Sequence, residues 1–203
     1  MAIEFWFEFG STYSYPAAVR IETLAHDRGV EILWRPFLLG PSFREQGWND
    51  SPFNIYPAKG RYMWRDLERI CDTLRIPLQR PSQFPRNGLL AARVACRFAN
   101  ESWLPSFVRA VYHANFADDR NISDPKVIAA CLAEALVASP SILTESQAPE
   151  SKALLRGQTA RAKEHGIFGA PSFIVGDELF WGNDRLEQAL DWDDARGSAR
   201  PCS

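Results

Sequence analysis

The chain has 203 residues, with 23 Lys and Arg against 25 Asp and Glu, a formal net charge of −2 and 46% hydrophobic residues. That length supports a well-buried core in one large domain or two closely joined small ones. Balanced charge without a long block of one sign excludes a nucleic-acid groove and a polybasic membrane anchor, and leaves small or neutral partners.

The segment IEFWFEF alternates apolar Ile3, Phe5, Phe7 and Phe9 with Glu4, Trp6 and Glu8, so residues 3–9 are predicted as a half-covered strand. After Gly10 the spacing turns helical: Tyr15, Ala18, Val19, Ile21, Leu24 and Ala25 recur at three and four residues until Gly29. A Ser or Thr ahead of such a run caps it, and Pro16 suits a first turn. Ser11 therefore stands where strand hands over to helix. Unpaired amides and the dipole of a helix start favour thiolates, phosphates and carboxylates there, although a serine at such a junction is also an ordinary cap.

VEILWRPFLL, from Val30, reads as a second strand ended by Pro36, and GPSFREQGWNDSPFNIYPAKG as a loop rich in Gly, Pro, Ser and Asn. Helical spacing then runs through RYMWRDLERICDTLR, NGLLAARVACRFANES, LPSFVRAVYHANFADD, DPKVIAACLAEALV and ESKALLRGQTARAKEHG, with Asp124 before Pro125 marking a helix start. No fixed period links them, which predicts a non-repeating bundle. SFIVGD and ELFW form a hairpin around Gly176-Asp177, NDRLEQALDW a closing helix, and DARGSARPCS a loose tail. A lone hairpin is marginal in water, so the two sheet-forming ends must meet across the helical insertion.

Cys71, Cys96, Cys131 and Cys202 lie far apart without a Cys-x-x-Cys pair, and only His26, His113 and His165 could join them, so reduced structural thiols and no metal are expected. The first residues carry Glu4 and Glu8 and no basic stretch, and no apolar run approaches the length of a membrane span. A cytoplasmic chain without membrane contact follows as the expectation. Trp48, Trp64 and Trp181 would line an aromatic pocket or fill the core, and receive no catalytic role.

This order of elements, with GAPS before the hairpin, resembles the thioredoxin superfamily in its DsbA-like branch, where a helical domain is inserted. The resemblance implies an α/β thioredoxin-like fold with an inserted α-helical domain: residues 1–60 and 150–203 form the discontinuous thioredoxin-like domain and 61–149 the insertion. It also implies a cis proline at Pro171, facing the active-site helix start. Redox members place Cys-x-x-Cys at that start, where this chain has Ser11-Thr12-Tyr13-Ser14. A hydroxyl forms no mixed disulfide, so dithiol–disulfide exchange is not expected at this site.

FEFGSTYSYPA, FNIYPAKGRYMWRDLERI, FPRNGLLAARVA and IFGAPSFIVGDELFWGNDRLEQAL, in this order, resemble the 2-hydroxychromene-2-carboxylate isomerases, relatives of kappa-class glutathione transferases. The resemblance implies glutathione as cofactor, with its thiol at Ser11 and its cysteinyl backbone paired with Ala170 before Pro171. Its γ-glutamyl end would be held by Asn183 and Asp184, with Arg185 beside them. Physical chemistry fits this placement: an extended peptide can add to an exposed backbone edge, and an ammonium suits Asp184. Asn183 or Asp184 would otherwise simply cap the last helix. The resemblance further places Asn54 near glutathione or substrate, Lys59 at the substrate, and Arg86, with Asn87, at an acidic substrate. The family pattern carries a lysine after the second strand and a tyrosine before a later helix. Here Phe43, beside Arg44, and Phe84 take those places, a departure that bears on which substrate is used.

The expected function is glutathione-dependent isomerisation of an aromatic acid of the 2-hydroxychromene-2-carboxylate or trans-o-hydroxybenzylidenepyruvate type, by a homodimer. Alternatives are a kappa-like glutathione transferase and a non-catalytic thioredoxin-fold binding module.

Overall fold

A computed structural model describes residues 2–45, 47–137 and 140–198. In chain order the elements are β1 (Ala2–Phe7), α1 (Ser14–His26), β2 (Glu31–Pro36), α2 (Leu39–Glu45), α3 (Pro52–Ile55), α4 (Pro57–Leu74), α5 (Leu89–Arg97), α6 (Leu104–Phe116), α7 (Pro125–Glu134), α8 (Ser141–Gln147), α9 (Pro149–Glu164), β3 (Ser172–Val175), β4 (Glu178–Trp181), a 3-10 turn (Asn183–Arg185) and α10 (Leu186–Ser198). The strands make one sheet in the order β2-β1-β3-β4, with β1 parallel to β2 and antiparallel to β3. The two ends of the chain thus meet in one sheet across the helical block, giving the thioredoxin-like α/β fold with inserted helices.

Phe5, Phe7 and Phe9 pack on the face shared with α1, α4, α6 and α10, and Phe5 stacks on Phe173 of β3 at 5.4 Å between ring centres. Complete burial of each such ring contributes roughly 1.5–3 kcal/mol. The opposite face is also covered: Trp6 is fully buried in a second cluster with Phe37, Ala162, Ile167 and Ile174. The prediction of a half-covered strand is therefore corrected. Glu4 supplied the polar half of the alternation, and it accepts hydrogen bonds from the Trp6 indole and Arg35, both at 3.0 Å, rather than facing open water.

The stretch read as a loop after β2 contains α2 and α3, because Ser51 caps the latter by accepting from the Phe53 amide at 3.3 Å and Pro52 takes a position that needs no amide hydrogen. Asp124 caps α7 as predicted, accepting from the Lys126 amide at 2.8 Å. Helix α8 was not predicted from its seven residues, SILTESQ, which show too few turns for a period. The expected loose tail is helical to Ser198, while its last residues, with Cys202, lie outside the described residues. At the carboxyl end of β1 the insertion closes in: a Cβ on Gly88, just before α5, would lie 2.6 Å from that of Phe9. No helix among the described residues is long and apolar enough to cross a membrane.

Candidate functional site

The turn between β1 and α1 folds against the segment that enters β3. The Ser11 amide donates to the Glu8 carbonyl at 2.9 Å, and the Ser11 hydroxyl donates to the Ala170 carbonyl at 2.9 Å. The Ala170–Pro171 peptide is cis. Ser11 Oγ also receives the Ser14 amide at 3.4 Å, so it reaches the first orphan donor of α1 although Tyr13, which offers no side-chain cap, is the nominal cap residue. Ser14 is fully buried, its hydroxyl beside the Tyr112 phenol.

Helix α6 holds this turn from behind. The Tyr112 phenol donates to the Glu8 carbonyl at 2.9 Å and Asn115 Nδ2 donates to the Phe9 carbonyl at 3.1 Å. Asn115 is itself held by Arg86, whose Nη1 reaches its carbonyl at 3.2 Å and the Arg120 carbonyl at 2.9 Å. Arg86 Nη2 donates to Ser82 and to the Asp119 carbonyl, both at 3.1 Å, and pairs with the Asp119 carboxylate. With 3% of its side chain exposed, Arg86 is a buried brace rather than the expected contact for an acidic substrate. A guanidinium whose two terminal nitrogens are already committed has no free fork for a ligand carboxylate. The neighbouring Asn87 instead caps the next turn, its side chain accepting the Leu89 amide at 2.9 Å.

The expected γ-glutamyl residues divide. Asn183 is buried, and its Oδ1 accepts from Arg20 of α1 at 3.0 Å, while Arg20 also pairs with Glu187 of α10. Asp184 and Arg185 are open, their side chains 74% and 52% exposed, with an ion pair of 3.3 Å between them. Asp184 is within electrostatic reach of the α1 start. Burial, the Asp66 carboxylate that accepts the Tyr13 phenol at 3.0 Å, and lastly the Asp184 charge hold the Tyr13 phenol above its ordinary range. Neither Asn183 nor Asp184 caps by its side chain; Gly182 holds the cap position.

Asn54 is exposed and donates to both Asp50 oxygens, at 3.2 and 3.1 Å, and to the Phe84 carbonyl at 3.0 Å, tying α3 to the segment before α5. Lys59 is exposed with its ammonium 5.5 Å from the centre of the Tyr56 ring. Phe84 packs against Trp64 at 4.9 Å and Phe43 against Trp48 at 5.8 Å, whereas the Arg44 side chain lies outside the described residues. Trp181 lies over Gly169 and against Phe168, both rings about half exposed. The structure thus gathers Ser11, Ala170 and Pro171 in direct contact, sets Asn183 and Asp184 at the neighbouring helix start, and leaves Asn54 and Lys59 on the rim of the α3–α4 segment.

A family model described as a DSBA-like thioredoxin domain matches residues 2–191. The chain belongs to the DSBA-like thioredoxin family. It is 30% identical over 187 residues to 2-hydroxychromene-2-carboxylate isomerase of Sphingobium xenophagum, covering 91% of this chain and 94% of that protein. It is 23% identical to the Homo sapiens glutathione S-transferase kappa 1, covering 91% and 87%. A solved structure of 2-hydroxychromene-2-carboxylate isomerase matches with a TM-score of 0.85 and 25% identity, over 98% of this chain and 95% of that one.

Within the DSBA-like family this chain has no thiol at the β1–α1 turn. Cys71 and Cys131 are buried and Cys96 half-buried, and desolvation pushes Cys71 and Cys96 to about 11 and Cys131 to about 12. Thiols held neutral in this way are inert as nucleophiles. Among the described residues no group of three His, Cys, Asp or Glu is placed to hold a metal. One titratable residue at the turn escaped the sequence reading. Glu8, taken as an outward strand residue, turns its carboxylate onto the Gly10 amide at 2.9 Å, and burial raises its carboxyl to about 7 against the lowering effect of the Gly10 and Ser11 amides. Its spacing of two from a glycine at a strand end was the available signal.

Proposed function

We propose that the protein is a glutathione-dependent isomerase of an aromatic acid of the 2-hydroxychromene-2-carboxylate or trans-o-hydroxybenzylidenepyruvate type. The observation that carries this reading is the Ser11 hydroxyl at a helix start, 2.9 Å from the carbonyl before a cis proline, in a turn with serine at both 11 and 14. The similarity to proteins named as such isomerases and as a glutathione transferase supports it.

The residues fit the tripeptide. The Ala170 carbonyl is occupied by the Ser11 hydroxyl, so a cysteinyl amide that pairs with Ala170 would release that hydroxyl to donate to sulfur, and no hydrogen bond is lost in the exchange. Asp184, exposed beside the α1 start, is open to an ammonium group. Bound glutathione would supply a nucleophilic thiol for reversible addition to a conjugated double bond of the substrate, the chemistry that lets such a bond rotate. Ser11 lowers the energy of the sulfur's charged form by a charge-assisted hydrogen bond, and the amides of the α1 start add their potential. The brace of Tyr112, Asn115 and Arg86 keeps the turn from relaxing away. The same reading divides the chain into a thioredoxin-like domain of residues 1–60 and 150–203, which carries Ser11, Ala170, Pro171, Asn183 and Asp184, and an inserted helical domain of 61–149, which braces the turn.

The test is turnover of such an acid with glutathione in catalytic amount. Isomer formation without loss of free glutathione supports the reading. Stoichiometric consumption of glutathione into a conjugate would make the protein a kappa-like transferase, and no thiolate absorbance with added glutathione would leave only a binding module.

A further inference from the structure

Glu8 stands between β1 and the Ser11 turn, and its two ends serve that turn differently. Its carbonyl accepts both the Ser11 amide and the Tyr112 phenol at 2.9 Å, and its Oε2 accepts the Gly10 amide at 2.9 Å. Gly10 fills the whole space allotted to it: a Cβ there would lie 3.0 Å from the Glu8 Oε2 and 3.1 Å from the Arg86 carbonyl. The antiparallel ladder that pairs Glu4 with Ile174 ends at Trp6 opposite Ser172, and just beyond it the Ser11 hydroxyl reaches the Ala170 carbonyl at 2.9 Å. The residue as a whole is half-buried, and its carboxyl is surrounded by protein.

The groups that face Glu8 are nearly all uncharged. From α6 comes the Tyr112 phenol, raised well above its ordinary range by burial and next by the Glu8 charge. The 86–88 segment presents the Arg86 carbonyl, its guanidinium being turned away to Asn115 and Asp119. The turn itself offers amides and the Ser11 hydroxyl, and the β3 side offers Ala170. No cation among these partners compensates a second negative charge at the turn.

We propose that Glu8 is a positioning residue for Ser11 and that its carboxyl shares a single negative charge with the thiol held there. The inference rests on glutathione binding at Ser11. An ionised Glu8 fixes the Gly10 amide, and a thiolate arriving at the adjacent serine favours protonation of that carboxylate, because two like charges across one turn resist coexisting. The proton that leaves sulfur then goes to Glu8, or to solvent once Glu8 is already neutral. Gln at this position keeps an oxygen for the Gly10 amide and removes the charge, whereas Ala removes both.

The experiment is an ultraviolet titration of the glutathione thiolate on wild-type protein, Glu8→Gln and Glu8→Ala, together with the pH profile of kcat/KM. The expected result is a broad, coupled titration in the wild type and a single step in Glu8→Gln, shifted down by about one pH unit. The neutral inflection of the profile should disappear, and Glu8→Ala should raise KM for glutathione in addition. A thiolate signal with the same midpoint and profile in wild type and Glu8→Gln overturns the inference while leaving glutathione binding intact. No thiolate signal in the wild type overturns both. If Glu8→Gln does not fold, the wild type decides alone: just above neutral pH, proton release on adding glutathione should fall well short of the thiolate formed, with S-methylglutathione as the blank. Release equal to the thiolate formed removes Glu8 from the proton balance.

Discussion

Arg86 and Asp184 carry opposite charges and were both expected to meet a charged group of a ligand, yet they end in opposite environments. Arg86 has 3% of its side chain exposed and spends its terminal nitrogens on Ser82, Asn115, Asp119 and Arg120. Asp184 has 74% exposed, and its partner is Arg185, next to it in the chain and also well solvated. A charge that is already saturated cannot recognise a ligand without breaking the protein, and one held loosely in water can exchange its partner at little cost. The insertion behind the site is therefore built to hold, and the exposed Asp184–Arg185 pair beside the α1 start to exchange.

The largest effect is expected at the brace. Arg86→Met should lower unfolding stability by roughly 3 kcal/mol, because Asn115 and the 119–120 carbonyls lose their donor in a buried setting. Urea denaturation measures it. A small loss of stability together with a large rise in substrate KM would reverse the assignment and make Arg86 a ligand contact after all.

Ser11→Ala removes a hydroxyl from the exchanging side of the site and should leave the fold nearly intact. The pKa of bound glutathione should rise by about one to two units, the worth of one hydrogen bond to a charged sulfur. An unchanged thiolate midpoint would reduce Ser11 to the local cap its contact with the Ser14 amide already makes it.

Glu8 lies between the two regions, and its effect should depend on pH. Its carboxyl is raised from an ordinary 4.5 to about 7, so between these values the folded state holds a proton that the unfolded state has released. The stability it contributes is full below the lower value and is lost as pH rises through the upper one. The loss is on the order of 1–3 kcal/mol. Denaturation midpoints from acid to mildly alkaline pH should fall in the wild type and fall less in Glu8→Gln; parallel curves would refute the burial of this carboxyl.

The smallest change is expected at Asp184. Asp184→Asn should raise KM for glutathione roughly two- to five-fold with kcat nearly constant, since an exposed ion pair is weak and equally present in ground and transition states. A fall in melting temperature with unchanged KM would move Asp184 to the structural side of the comparison and place the γ-glutamyl contact elsewhere.

Most of the fold was legible because its signals are local. The alternation in IEFWFEF, the Asp124-Pro125 start and the Gly176-Asp177 turn each act within a few residues, and β1, α7 and the β3–β4 hairpin follow them. The short helices α2, α3 and α8 were missed because a helix of two turns or fewer displays no period. Ser11 was legible as a strand-to-helix junction, and Pro171 through the resemblance carried by GAPS.

The sequence by itself determined the strands and the longer helices, the meeting of the two chain ends in one sheet, and the absence of a thiol at positions 11 and 14. Tertiary structure alone decided what the charged residues do. Residue type is the same for a buried brace and a free contact, and the two are separated only by neighbours that come from distant parts of the chain. Arg86 is buried because α6 and the 119–120 turn close over it, Asn183 is buried against Arg20 from α1, and the main chain of Glu8 is fixed by Tyr112 from α6. Desolvation and partner saturation set the role of each, and neither is a property of a residue in its own stretch of sequence.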